Sequence, residues 1–407
     1  MPETEAATSV AVTERGAGQF GRSPGVAVLR AARALAPVIA EQAAEVERSG
    51  GLAPELLGTL ASAGCLRMAV PAGFGGGDLT LAETLAVLQA LACADGAVAW
   101  AVGQIALSQV MLGFLSAPAR ERIFGEHPDV LAAGAAAPKG RVTRAAGGWR
   151  ISGQWPLVSG CRHACWIFLQ CVMVEDRQVR IEPSGLPAMR MVVLPADALE
   201  IIDTWEAIGL RGTGSHDVRA DHVWCADEYT AVLADGAPAH ARIQRVPPAA
   251  QGGTYVAATL CGIAEGALAD ARAVAAGGKR PAFAPGRLAD SPLFRATLGE
   301  AAVELRCARA LLDAEVRRAE ALAGEGAVGP AQRTRLRAAA AKAAALASGV
   351  VDTAFRLAGS SALYERSPLQ RRLRDTRAAL AHFTVSPDLY TPHGALLAGA
   401  EIDPALI

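Results

Sequence analysis

The chain has 407 residues and a formal net charge of −1, with 39 lysine and arginine side chains against 40 aspartate and glutamate side chains. This balance gives no electrostatic case for binding nucleic acid or an anionic membrane, and the length allows two or three domains or one composite core. Eight cysteines in so long a chain do not indicate a disulfide framework. No window of about 20 apolar residues is free of charge, so we expect no membrane-spanning helix and a cytoplasmic protein.

The first third of the chain predicts helices behind a polar tail. Residues 1–25 are rich in glycine and lack the apolar stretch of a signal peptide, so we expect them to be disordered. Apolar residues recur at helical spacing from Val26 to Arg48, which predicts one amphipathic helix. Asp78 or Thr80 is expected to cap a helix that ends near Ala94. Residues 26–128 are therefore assigned to an N-terminal helical domain. Its other predicted helices are Pro54–Ala63, Val98–Leu115 and Pro118–Phe124.

The middle of the chain, residues 129–236, changes to short β-rich runs separated by glycine, proline or aspartate. This spacing is typical of a small antiparallel barrel or sandwich, whose core would hold most of its tryptophans. The predicted strands are Val130–Ala137, Gly140–Ala146, Trp149–Leu157, Trp166–Glu175, Arg190–Pro195, Leu199–Asp203 and Val218–Trp224.

The last part, residues 237–407, returns to long alanine-rich helices with short glycine- or proline-containing connections. Four such segments predict a helical bundle. They are Pro248–Ala276, Pro292–Ala323, Pro330–Ala358 and Ser367–Thr384. The fold predicted for the whole chain is therefore mainly α with a central β domain.

Three local patterns point to a ligand site, and each has a structural alternative. Ser159 places a hydroxyl at a predicted strand end, beside Gly160, which would let a planar ring approach closely, although a capped strand end looks the same. Thr213-Gly214-Ser215 is a turn rich in donors that could hold anionic or carbonyl oxygens, or could be an ordinary polar loop. His382 is a lone histidine among alanine and leucine, which fits a base or a core histidine.

Five stretches, in this order and spacing, resemble the acyl-CoA dehydrogenase superfamily, and in particular its group D branch of flavin-dependent monooxygenases. They are Pro71–Gly76 (PxxxGG), Gly153–Ala164 (GxWxxxSGxxHA), Gly209–Val218 (GxRGTGSxDV), Gly262–Ala267 and Arg371–His382 (RxxRDxxxAxxH). The resemblance implies the three-part fold and a two-component monooxygenase. Such an enzyme takes reduced FAD or FMN from a separate reductase, forms a C4a-hydroperoxide with O2, and oxygenates a small substrate, here expected to be a secondary metabolite.

The resemblance also implies roles for particular residues. Ser159 would bond flavin N5, and His382 would be the catalytic base. An imidazole with a pKa near neutrality suits that role, and Arg374 and Asp375 could form a supporting ion pair beside it. The implied cofactor contacts are Trp155, Ser159, Gly160, Arg211, Thr213, Gly214 and Ser215, with Arg280 and Phe283 reaching a dinucleotide across a subunit interface of a homotetramer or homodimer. Trp100, Gln104 and Ser108 are expected to line the substrate pocket.

Three alternatives remain open at this point. An acyl-CoA dehydrogenase or oxidase needs a carboxylate base, and the two segments where that family carries its glutamate, 251–255 and 380–385, contain no acid. A member that lost its chemistry could serve as a scaffold or binding protein. A metal at His216 and His222 is disfavoured because their alternation fits a strand face, so no metal is expected. No GxGxxG follows a predicted strand, which argues against a nicotinamide site.

Overall fold

The computed structural model describes residues 23–125, 130–233, 241–326 and 328–402. The expected disordered tail, apart from its last three residues, lies outside this range. The two predicted domain boundaries, at 128/129 and 236/237, also lie outside the described residues.

The N-terminal part is helical, as predicted, but its first helix is divided. Pro37 has no N–H to donate and fits only the first turn of a helix, so the amphipathic stretch ends at Ala34 and begins again at Ala36. Thr80, and not Asp78, caps the fourth helix, in a reciprocal capping box with Glu83. The helices are α1 (Pro24–Ala34), α2 (Ala36–Ser49), α3 (Pro54–Ser62), α4 (Leu81–Ala94), α5 (Gly96–Leu112) and α6 (Ala117–Arg120).

The middle part is the predicted β domain: its described strands form one eight-stranded sheet, but one of the strand pairs is parallel and not antiparallel as predicted. Its strands are β1 (Ala132–Ala145), β2 (Gly148–Val158), β3 (Trp166–Glu175), β4 (Gln178–Val179), β5 (Met189–Pro195), β6 (Glu200–Ile202), β7 (His216–Ala226) and β8 (Thr230–Ala231). The strand order is β6-β7-β2-β1-β3-β5-β8, and β4 pairs with β3.

The exception to antiparallel pairing is β1 with β3. β2 runs antiparallel to β1, so β2 ends on the side of the sheet where β1 begins. The chain crosses to β3 on this same side. Because β3 also begins there, it runs parallel to β1. The crossing segment, 159–165, begins with Ser159, so the pairing itself brings this residue to the sheet edge.

The C-terminal part is the predicted bundle. Its helices are α7 (Pro248–Ala276), α8 (Pro292–Glu325), α9 (Pro330–Ala358) and α10 (Pro368–Leu380), and a short α11 (Tyr390–Leu397) follows. By length and composition the Pro330–Ala362 stretch could cross a membrane, but 61% of its most apolar window is buried inside the protein. Because α10 ends at Leu380, His382 does not lie on the predicted helix; it begins a short 3-10 turn.

Helix α5 is buried over nearly its whole length at the junction of the three parts. It packs against α4, α7 and α10, against β1 and β3, and against the turn at 211–213. The N-terminal helices and the bundle share one apolar core, while the sheet has a core of its own. A site on α5 is therefore built from all three parts of the chain.

Trp155, which the family resemblance assigned to the cofactor, belongs to the core of the sheet. It is 0% exposed, and its indole N–H donates to the Gln170 carbonyl at 2.8 Å. A Cβ on Gly140 would overlap its ring, so glycine is required there to make room for the indole. The side chain has no exposed surface to offer a ligand, and we assign it a packing role.

This assignment predicts a large loss of stability when Trp155 is truncated. Trp155→Ala should lower the free energy of unfolding by about 3–5 kcal/mol because it leaves a cavity in the sheet core. The matched control is Trp224→Ala, at a tryptophan that is 47% exposed, and it should cost about 1 kcal/mol or less. Urea denaturation of both variants measures the difference; equal losses would contradict the packing role.

Candidate active site

A chain of buried hydrogen bonds links α5 to the two turns predicted to hold a ligand. The Trp100 indole N–H donates to Ser159 Oγ at 3.1 Å, and Ser159 Oγ lies 2.7 Å from Ser215 Oγ. Ser215 Oγ in turn lies 2.6 Å from Thr213 Oγ1, and Thr213 donates to the Leu210 carbonyl at 2.7 Å. We call these five residues the hydroxyl chain.

Strained backbone places both turns. Leu157 has a φ of +63°, at an irregularity in the pairing of β2 with β7, which turns the end of β2 toward α5. Leu210 has a φ of +51° just before the turn that carries Thr213 and Ser215. Neither residue is a glycine, and such conformations persist only where the surroundings enforce them. Gly160 has a φ of +72°, and a Cβ added to it would meet only open space.

His382 lies against Trp100, at the α5 end of the hydroxyl chain. Its ring meets the Trp100 indole edge to face, with the centroids 5.6 Å apart, and stacks on Phe383 at 4.8 Å. Nδ1 lies 2.7 Å from Thr384 Oγ1, which fixes the ring orientation. Burial lowers the pKa of His382 to about 4, well below the near-neutral pKa expected from the sequence. The imidazole is therefore neutral at physiological pH and able to accept a proton.

Helix α10 holds the second turn in place, and here the structure corrects one expectation. The predicted ion pair between Arg374 and Asp375 does not form. Asp375 Oδ1 accepts the Leu210 N–H at 2.6 Å, while Arg374 pairs with Glu47 of α2 and donates to the Ile208 carbonyl at 3.1 Å. The Arg-Asp motif identified Arg374 and Asp375 in the sequence, but it did not indicate the residues that they bind.

Two carboxylates share the buried space around Leu210. Asp375 is 3% exposed and Asp95 is 2% exposed, and Asp95 lies 3.4 Å from Arg371. Burial and, to a smaller extent, the negative charge of Asp95 raise the pKa of Asp375 to about 7, against the opposing effects of the Leu210 N–H and Arg371. Glu47 adds a smaller upward contribution. The pair therefore holds a proton in mildly acidic solution.

The two segments that carry the glutamate base in dehydrogenases pack against each other next to His382. A Cβ on Gly253 would lie 2.5 Å from the Thr384 carbonyl oxygen, so the start of α7 and the turn after α10 are in direct contact. The acid that follows on α7, Glu265, forms an ion pair with Arg309 of α8. His382 belongs to one of these two segments, and neither segment contains an acid.

The side chains of the other residues predicted to contact the cofactor or the substrate make no described hydrogen bond to the hydroxyl chain. Gln104 is partly buried on α5, and Ser108 donates its hydroxyl to the Gln104 carbonyl at 2.7 Å, so its proton is used within the helix. Arg211 is exposed at the start of the 211–213 turn. Arg280 and Phe283 lie in the loop after α7, where Phe283 is fully exposed, and no described contact joins them to the hydroxyl chain.

An open cavity of about 240 Å³ borders the hydroxyl chain on the side of the N-terminal helices. Its walls are the end of α2, the segment 50–53, and the turns that carry Gly160, Thr213 and Gly214. Within the described residues, no group of three histidine, cysteine or acidic side chains could hold a metal ion. His216 is buried and His222 is exposed on β7, so this pair does not converge.

Comparison with known proteins identifies the family of the chain. Residues 27–125 match the family profile "Acyl-CoA dehydrogenase, N-terminal domain", and residues 254–387 match "Acyl-CoA dehydrogenase, C-terminal domain". Together they cover more than half of the chain. The chain belongs to the acyl-CoA dehydrogenase family.

Monooxygenases are among the proteins similar to this chain. The indole-3-acetate monooxygenase of Pseudomonas putida is 29% identical over 88% of this chain and 90% of its own. The oxygenase subunit HsaA, a flavin-dependent monooxygenase of Rhodococcus jostii (strain RHA1), is 28% identical over 87% of this chain and 94% of its own. The crystal structure of 3-HSA hydroxylase from Rhodococcus sp. RHA1 superposes with a TM-score of 0.87, at 26% identity, over 94% and 99% of the two chains.

The raised pKa of Asp375 predicts a pH-dependent stability. An aspartate in an unfolded chain has a pKa of about 3.9, so between about pH 4 and the folded pKa of about 7 the folded protein binds more protons. Stability should therefore fall as pH rises through this window. Asp375→Asn keeps an oxygen for the Leu210 N–H and removes the ionisation, so its stability should vary less with pH. Urea denaturation at about pH 5 and about pH 7.5 checks this; the same pH dependence in both proteins would contradict it.

Proposed function

We propose that the chain is the oxygenase component of a two-component flavin-dependent monooxygenase that acts on a small aromatic molecule. The observation that carries this proposal is the neutral, buried His382 at the place where dehydrogenases need a carboxylate. In dehydrogenases a carboxylate removes the α-proton beside a thioester, whereas a phenol or an indole N–H can hydrogen-bond to a neutral imidazole. The names of the similar proteins support the aromatic substrate class.

The residues around Ser159 fit a reduced flavin. A hydroxyl at the end of a strand, next to a glycine with open space around it, suits the polar edge of a planar ring. Trp100 and Phe383 supply aromatic surface, and Phe383 is 62% exposed in the isolated chain. When bound, the reduced flavin would supply the two electrons that activate O2 for transfer of one oxygen atom.

The chain's own residues have separable tasks in this proposal. Ser159, held by Trp100 and Ser215, positions the cofactor edge. His382, oriented by Thr384, accepts a hydrogen bond or proton from the substrate and raises its electron density. A negative charge developing on the substrate would raise the pKa of the imidazole from its low resting value, because opposite charges stabilise each other in a buried site. Burial around α5 excludes water, which protects reactive oxygen species from wasteful loss.

Several finer features belong to the same proposal. Reduced FAD and reduced FMN are both candidates, delivered by a separate reductase because no GxGxxG follows a strand in the described part of the chain. The full exposure of Phe283 supports a homodimer or homotetramer in which Arg280 and Phe283 contact a neighbouring subunit's cofactor. We place the protein in the cytoplasm and its substrate among secondary metabolites, with a carbon, nitrogen or sulfur atom as the site of oxidation.

Truncating His382 should separate flavin binding from oxygenation. His382→Ala should lower product formation from indole or phenol substrates by about 100-fold or more, because the base is lost, while the Kd for reduced flavin changes by about threefold at most. Reduced flavin would then be consumed with release of hydrogen peroxide.

His393→Ala is the matched control, since this histidine lies on α11 and has no described contact with the site; it should leave product formation unchanged. Unaltered turnover in His382→Ala would remove His382 from the reaction. Reduction of bound FAD by an acyl-CoA in the wild-type protein would instead favour dehydrogenase chemistry.

A further inference from the structure

The hydroxyl chain has a fixed direction because its two ends are not interchangeable. An indole N–H can only donate a hydrogen bond, and a backbone carbonyl can only accept one. Trp100 forms the first end and the Leu210 carbonyl forms the other. The Leu210 carbonyl also receives the Thr213 N–H at 3.0 Å and the Trp205 indole N–H at 3.1 Å, so it is held firmly as the acceptor.

Each of the three hydroxyl groups between these ends has one proton, so the donor of every hydrogen bond in the chain can be assigned. Thr213 gives its proton to Leu210, so the 2.6 Å contact between Thr213 and Ser215 needs the proton of Ser215. The 2.7 Å contact between Ser215 and Ser159 then needs the proton of Ser159. All three residues are at most 9% exposed, so bulk water cannot readily replace a missing proton. Ser159 Oγ is left with one free lone pair and no free proton.

We propose that the hydroxyl chain sets the redox preference of the flavin site: Ser215 and Thr213 keep the Ser159 proton turned away, so that Ser159 accepts a hydrogen bond from the N5–H of reduced flavin and cannot donate one to oxidised flavin. This inference rests on the proposed function. N5 carries a hydrogen in reduced flavin, whereas in oxidised flavin it offers only a lone pair. Ser215 and Thr213 are positioning residues, since they act through Ser159.

Oxidised flavin can bind well only if the Ser159 hydroxyl rotates toward N5. That rotation breaks the bond to Ser215 and leaves two buried oxygens facing each other without a proton between them. An unpaired buried polar group is costly, so the wild-type protein should bind reduced flavin at least about tenfold more tightly than oxidised flavin. Discrimination of this kind would favour loading of the reduced cofactor and release of the oxidised one.

The test compares Kd values for oxidised and dithionite-reduced FAD and FMN, measured anaerobically by fluorescence or calorimetry. Ser215→Ala removes the acceptor of the Ser159 proton, and Thr213→Val lets Ser215 turn its own proton toward Ser159. Either change frees Ser159 to donate to oxidised N5. Both variants should bind oxidised flavin more tightly than the wild type. The ratio of the Kd for oxidised flavin to the Kd for reduced flavin should therefore fall by about tenfold.

Two further variants make the result specific. Trp100→Phe removes a donor to Ser159 but leaves the direction set by Leu210, so it should keep the wild-type preference for reduced flavin. Thr84→Val removes a buried threonine hydroxyl on α4 that is bonded within its own helix, and it controls for a general effect of losing such a group. A loss of fold in one variant would show in both Kd values, and the independent second variant still decides the question.

The outcomes distinguish this inference from the function on which it depends. Unchanged Kd ratios in both Ser215→Ala and Thr213→Val, or ratios that fall only because reduced flavin binds less tightly, would overturn the ordering role. Equal wild-type Kd values for the two redox states would do the same. A wild-type protein that binds neither form of either flavin would overturn the proposed function, and this inference with it.

Discussion

The hydrogen bond from the Leu210 N–H to the buried carboxyl of Asp375 is the interaction on which the site depends. Leu210 has the left-handed backbone conformation, which is unfavourable for a branched, buried side chain. α10 enforces it through Asp375 and through the bond from Arg374 to the Ile208 carbonyl. Because the Leu210 carbonyl is also the last acceptor of the hydroxyl chain, this contact between the bundle and the sheet domain orients Ser159 on the opposite side of the site.

The same contact joins the site to the rest of the fold. Gly209 lies so close to the Arg374 backbone that a Cβ would overlap it, and Arg374 also reaches Glu47 of α2. Asp95 caps α5, the helix that carries Trp100, and lies next to Arg371 of α10. The N-terminal helices, the sheet and the bundle therefore meet around two buried carboxylates. A displacement of any one part would change the positions of Ser159 and His382.

The sequence predicted the three-part fold, most of the helices and most of the longer strands, because their periodicity and capping residues are local. It also placed Ser159, Thr213, Ser215 and His382 in one site through their motifs, and the structure brings them together around Trp100. Their roles toward a cofactor stay predictions. The parallel pairing of β1 with β3 was missed because it depends on where the chain crosses the sheet edge, which no local pattern reports.

Side-chain direction was the other limit of the sequence. Trp155 lies in a motif that resembles a flavin contact, yet the strand alternation at β2 directs it into the sheet core, and the irregularity at Leu157 then redirects Ser159 toward α5. The partners of Arg374 and Asp375 were likewise unpredictable, since Glu47 and Leu210 are distant in sequence. Pro37 was the exception: its effect on the first helix is local and could have been read from the sequence.

The central claim is that a reduced flavin binds with its N5 edge at Ser159 and with His382 on the substrate side of the ring. A crystal structure of the anaerobic complex with reduced flavin tests it most directly. The account predicts N5 within hydrogen-bonding distance of Ser159 Oγ, about 2.7–3.2 Å, with the Trp100–Ser159–Ser215–Thr213 contacts intact. A flavin bound away from Ser159, or a Ser159 hydroxyl separated from Ser215 in that complex, would contradict it.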